Sequence, residues 1–315
     1  MRLNNHYYKF IIFCSIVISN CSFAQVKCGA LINKQTKKGA DYVTISCSGC
    51  MSGTFTDERG NFCFQVPEKM DSIVISGLGY KKVVLSKKSF LDNTTFLIDE
   101  ESITLQNVVV YSKKNKQQIE EIGYYYKRWF QFLDGFSPNS STKLSVYIPN
   151  EGQKNCYIQK LLYRLKPETS DMAKSFRLRC TLWKNGKNNL PESELLTSNV
   201  VVDVEPSDEK IEKDIAIMQI PLPKEGVWLG IETVGFSDLE GNYQPLSVGR
   251  MGEVIYKKSK KVKIEKVKSL TPRFAISKEG KGATAMKVWN YSWTTLKFSD
   301  KYNALMFGLQ LSVTE

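Results

Sequence analysis

The chain has 315 residues, a formal net charge of +12, and 42% hydrophobic against 24% charged residues, a balance that excludes a disordered polypeptide. Its one histidine, His6, lies in the N-terminal leader. The remainder therefore cannot support Ser-His-Asp or Cys-His catalysis or a His-ligated metal site.

Residues 1–24 read as a signal peptide. Arg2 and Lys9 make a basic start, Phe10 to Ile18 an apolar run, and Ser22-Phe23-Ala24 a cleavage pattern that leaves Gln25 as the new N-terminus. Cys21 raises lipidation, but Asn20 stands where a lipobox takes Gly, Ala or Ser. The run is shorter than the roughly 20 apolar residues that span a bilayer, and no later stretch reaches that length. The protein is expected to be exported, to the periplasm or the cell surface, without a transmembrane segment.

Residues 25–111 carry short β-branched runs bounded by Gly, Asn, Asp and Ser, the mark of strands. Val43 and Ile45 alternate with Thr44 and Ser46. Phe62, Phe64 and Val66 alternate with Cys63 and Gln65. Ile73-Val74-Ile75, Val83-Val84-Leu85 and Val108-Val109-Val110 continue the series, and no helical period competes. Asp57 and Gly60 suit a turn, one as a hydrogen-bond acceptor and the other by tolerating φ > 0.

Gly29, Gly39, Thr54-Phe55-Thr56-Asp57, Gly60-Asn61-Phe62 and Ile75-Ser76-Gly77-Leu78-Gly79-Tyr80 together resemble the carboxypeptidase-like regulatory domain family. Modules of this family stand at the N-termini of many exported Bacteroidota proteins. The resemblance implies a prealbumin-like, seven-stranded β-sandwich, an accessory role and no peptidase residues.

Residues 112–140 read as a connector. It is polar and basic at first, then aromatic through Tyr124 to Phe130, and is expected as a helix or an extended segment against one domain. Residues 141–315 return to β pattern. Expected strands are Leu144–Ile148, Ile158–Leu165, Phe176–Trp183, Val200–Val204, Ile215–Ile220, Val227–Val234, Arg273–Ser277, Lys287–Leu296 and Ala304–Val313. In the third, Phe176, Leu178, Cys180 and Leu182 predict a buried face, and Arg177, Arg179 and Thr181 a wet one. The pattern is similar to galactose-binding-like jelly rolls. The fold class is thus all-β: a prealbumin-like sandwich followed by a larger jelly-roll-like sandwich.

Three features are candidate sites. Cys28, Cys47, Cys50, Cys63, Cys156 and Cys180 can form disulfides in an exported protein or pack as buried thiols. A four-thiolate zinc site at the first four is disfavoured because only Cys47 and Cys50 are closely spaced. The segment from Tyr256 to Lys268, with Lys257, Lys258, Lys260 and Lys261, reads either as a lysine-guarded edge strand or as a contact for an acidic partner. Trp289, Tyr291 and Trp293 alternate. On a strand they would share one face, as core or as a platform for stacking sugar rings.

Carboxylates offer the only acid/base pairs: Glu192 with Glu194, Glu205 with Asp208, and Glu209 with Glu212. Nothing in the sequence sets a pair across a cleft. The reading is a non-enzymatic envelope protein binding a glycan or protein partner through its C-terminal sandwich, with no cofactor, metal or nucleic acid. A structural assembly module is the alternative, and a carboxylate-dependent glycan hydrolase the third.

Overall fold

The computed structural model describes residues 25–101, 118–125, 132–138, 142–246, 270–277, 283–298 and 304–313. The leader, Val108 to Val110 and the lysine segment fall outside these residues. The first sandwich is built from β1 (Gln25–Asn33), β2 (Thr44–Cys47), β3 (Gly53–Phe55), β4 (Asn61–Val66), β5 (Ser72–Gly77), β6 (Tyr80–Ser86), a short helix α1 (Lys87–Asp92) and β7 (Thr95–Ile98). One sheet has the order β4-β1-β7 and the other β3-β2-β5-β6.

Strand β4 shows why the pattern was readable. Phe62, Phe64 and Val66 are buried while Asn61, Cys63 and Gln65 are exposed, the period-2 signature of a half-buried strand. Phe90 enters the same core from α1, with ring centroids 5.9 Å from Phe62, 5.7 Å from Phe64 and 5.3 Å from Phe96. No helix is expected here from the sequence, because six residues are too few to show a 3.6-residue period. The helix is instead marked by its cap: Ser86 Oγ accepts from the Ser89 amide at 3.2 Å. At the β3–β4 turn, Asp57 Oδ1 accepts from the amides of Arg59 and Asn61, both at 2.8 Å, and Gly60 takes φ +81°.

Four cysteines of this domain form two disulfides. Cys28 and Cys63 face each other directly across β1 and β4 and are joined on the exposed side of the sheet. Cys47 and Cys50 close the β2–β3 hairpin. The first bridge spans a sequence separation of 35 and the second one of 3. Loop-closure entropy therefore favours the first by about 2 kcal/mol. Replacing Cys28 and Cys63 by alanine should lower the urea midpoint clearly more than replacing Cys47 and Cys50. Equal midpoints would show that the longer bridge adds nothing through the unfolded chain.

The second sandwich begins earlier than the sequence suggests. Residues read as connector supply β8 (Gln118–Gly123) and β9 (Phe132–Phe136). With β10 (Thr142–Ile148), β11 (Cys156–Arg164), β12 (Ser175–Asn185), β13 (Pro191–Glu194), β14 (Val200–Val204), β15 (Lys210–Asp214), β16 (Val227–Ser237), β17 (Tyr243–Pro245), β18 (Phe274–Ser277), β19 (Thr284–Val288), β20 (Thr294–Leu296) and β21 (Phe307–Val313), they form three sheets. The largest has the order β13-β12-β16-β10-β19-β20, with β14 beside β12 and β17 beside β16. It faces β15-β11-β21-β8, and β18 pairs with β9. The core lies between the sheets, around Leu144, Val146, Phe176, Leu178, Leu229, Ile231, Phe307 and Leu309.

Two expected strands are corrected. Ile215–Ile220 contains a 3₁₀ turn, Ala216–Met218, and the strand precedes it as β15. Lys287–Leu296 is a hairpin, β19 and β20, whose turn holds Trp289 at φ +45°.

Candidate functional site

Side chains of the large sheet that point away from the core fall into rows, because register brings alternate residues side by side. Trp183, Trp228 and Tyr147 form the first row. Thr181, Gly230, Ser145 and Ala285 form the second. Arg179, Glu232, Lys143 and Lys287 form the third, with Val201 beyond Arg179. One end of this outer face is therefore aromatic, the middle small and polar, and the far end charged.

The charged row is not wet, which corrects the reading of Arg179 and Thr181. Arg179 is 2% exposed and Glu232 3%. Arg179 Nε donates to Glu232 Oε1 at 2.5 Å and Nη1 to Asn199 Oδ1 at 3.1 Å. Lys143 Nζ lies 3.1 Å from Glu232 Oε2. Burial alone would raise the Glu232 carboxyl, but Arg179 and Lys143 outweigh it and hold it below the usual range. Glu194, 4.0 Å from Arg179, has one unpartnered oxygen, and burial raises its carboxyl. Burial, with Lys143 alongside, lowers the Lys287 ammonium.

The first sandwich packs beside this end of the face. Asn199 Nδ2 donates to the Asp41 carbonyl at 3.2 Å and to its carboxylate at 3.1 Å. Arg177 forks onto Asp203 at 2.7 and 2.8 Å, donates to Tyr42 Oη at 3.3 Å, and lies 4.8 Å from the Tyr243 ring centroid. Tyr42, Phe55, Val234, Leu246 and Trp289 make an apolar cluster across the junction. Trp289 lies 5.3 Å from Phe55 and presses on Gly53, where a Cβ would sit 2.6 Å from the indole. Only glycine permits that approach.

The predicted aromatic row is therefore split. Trp289 is 2% exposed, inside the junction, and Tyr291 is 41% exposed. Trp293 meets Trp183 edge to face at 5.7 Å. Both are half-buried, and Trp183 Nε1 has no partner. Beside them Trp228 is buried, its Nε1 donating to Asn185 Oδ1 at 2.8 Å, with Tyr147 5.5 Å away. In the second row, Thr181 Oγ1 and Ser145 Oγ are buried without partners on either side of Gly230. The sequence does not show what Trp183 meets, because its neighbours in space come from β16 and the β19–β20 hairpin. Lys257, Lys258, Lys260 and Lys261 lie outside the described residues.

The remaining candidates are engaged elsewhere. Cys156 and Cys180 are free and buried, and burial pushes the Cys180 thiol up to about 12. A thiol so shifted supplies little thiolate at neutral pH. Glu209 pairs with Arg164 at 2.9 Å, Glu212 accepts from Lys210 and Tyr125, and Asp208 Oδ2 accepts from the Glu205 amide. Among the described residues no cluster of three or more His, Cys, Asp or Glu is placed to hold a metal ion.

The first unit is a two-sheet β-sandwich with its four cysteines paired. Residues 28–110 match the family model of the CarboxypepD_reg-like domain, a regulatory and non-catalytic type of domain. Compared with curated proteins, the chain matches none. Two disulfides are compatible with an exported protein, and no helix among the described residues is long and apolar enough to cross a membrane.

Proposed function

We propose that this is an exported, non-catalytic envelope protein whose second sandwich binds a glycan at the aromatic end of the large sheet's outer face. The observation that carries the reading is the half-exposed Trp183–Trp293 pair, with exposed Tyr291 in the adjoining hairpin turn. Indole faces suit the apolar C–H faces of pyranoses.

A glycan array on residues 25–315 tests this. Binding should appear, persist in 1 M salt, where the Debye length is about 3 Å, and fall at least tenfold in Trp183→Ala or Trp293→Ala. Binding that vanishes with salt would move the site to the lysine segment from Tyr256 to Lys268. An empty array would favour the second reading, a structural module, which the charge row buried beside the domain junction supports.

A further inference from the structure

Two lysines face each other in the interior of the large sheet, on its outer side. Lys143 of β10 and Lys287 of β19 are directly opposite in register. Neither strand is an edge: β10 lies between β16 and β19, and β19 between β10 and β20. Lysine commonly guards exposed sheet edges, but that role is not open to these two. Like charges placed directly opposite destabilise a sheet. The pair therefore calls for negative charge.

One carboxylate serves the whole row. Glu232 Oε1 accepts from Arg179 Nε at 2.5 Å, and Oε2 lies 3.1 Å from Lys143 Nζ. Lys287 is half-buried and makes no hydrogen bond or ion pair among the described residues. The charges that act on it are Lys143, Glu232 and, from β6 of the first sandwich, the exposed Lys82. Burial and the two lysines outweigh Glu232 and lower the Lys287 ammonium.

Other acidic groups of this region do not restore the balance. Glu194 lies 4.0 Å from Arg179, and burial raises its carboxyl. The Asp41 carboxylate accepts from Asn199 at 3.1 Å. Three lysines and Arg179 thus share Glu232 beside the domain junction. Trp289, two residues beyond Lys287, packs there on Gly53 of the first sandwich.

We propose that Lys287, Lys143 and Lys82 form an oxyanion-binding site at the junction of the two sandwiches, for a carboxylate or sulfate group. The oxyanion would accept from Lys287, whose donors are unused, and from the donors that Lys143 does not spend on Glu232. It would also relieve the repulsion between the opposed ammoniums. Lysine is a compact point charge without a fixed fork, so the site selects charge rather than one anion shape. The inference does not rest on the glycan reading, because the oxyanion can be a free ion or the acid group of a sugar.

The test is isothermal titration of residues 25–315 with two probes, inorganic sulfate and tri-galacturonate, with sodium chloride adjusted to hold ionic strength constant. Saturable binding of at least one probe is expected, at least tenfold weaker in Lys287→Met. Tighter binding of tri-galacturonate assigns the oxyanion to an acidic sugar, and equal or tighter binding of sulfate assigns it to a free ion. Lys287→Met removes one of two opposed charges, so its urea midpoint without either probe should equal or exceed that of the wild type. Lys82→Gln, at an exposed position, gives a second variant should Lys287→Met fail to fold, and should weaken binding at least twofold. No saturable binding of either probe overturns the proposal. Binding that both substitutions leave unchanged overturns it too, and moves the anion elsewhere on the chain.

Discussion

Replacing Arg179 by leucine should destabilise the protein by about 3–5 kcal/mol, the range for removing one partner of a buried ion pair. The change leaves Glu232, 3% exposed, with Lys143 as its remaining ion-pair partner, and deprives Asn199 of its guanidinium neighbour. Urea unfolding at pH 7 measures the loss. The double variant Arg179→Leu with Glu232→Leu should recover part of it, because the uncompensated carboxylate is gone and only Lys143 is left without its partner.

The pH dependence carries a definite sign. In the wild type the folded Glu232 carboxyl sits below its ordinary value, so its contribution is present above about pH 4.3 and is lost as pH falls through the folded pKa. Glu194 is raised, so its share runs the other way, favouring the fold while protonated and lost as pH rises through its folded value. In Arg179→Leu, burial of Glu232 loses its main counterweight and its pKa rises. The deficit of the variant should therefore shrink as pH falls toward 4. A deficit that stays constant with pH instead would mean that Arg179 acts through packing alone.

Phe90→Ala should cost the first sandwich about 3–5 kcal/mol, the usual range for emptying a buried aromatic site. Phe90 is fully buried and touches Phe62, Phe64 and Phe96, so its removal leaves a hole that none of the three can fill without leaving its rotamer. Phe62→Ala should fall in the same range. A loss below about 1 kcal/mol at Phe90 would show that α1 is peripheral to the core.

What was legible in the sequence was local. Phe62, Phe64 and Val66 in β4, and Phe176, Leu178, Cys180 and Leu182 in β12, reveal their strands because a period of two depends on nothing beyond the strand itself. The turn residues Asp57 and Gly60 are equally local. Short polar edges such as β13 and β15 leave no such trace, because few of their residues are buried.

The aromatic motif failed for a related reason. Alternation at Trp289, Tyr291 and Trp293 implies a common face only on a strand, and a left-handed residue at Trp289 breaks that premise. Its indole is then free to pack on Gly53 of the other domain, 236 positions away in the chain.

By itself the sequence determined the all-β class and the inward residues of the long strands, since each follows from neighbours a few positions apart, while the likeness to the regulatory domain family rests on motifs spread from Gly29 to Tyr80. Tertiary structure alone decided that Arg179 and Glu232 are buried together and that Trp183 meets Trp293. Both depend on strand register, which joins residues 53 and 110 positions apart, beyond the reach of any local period.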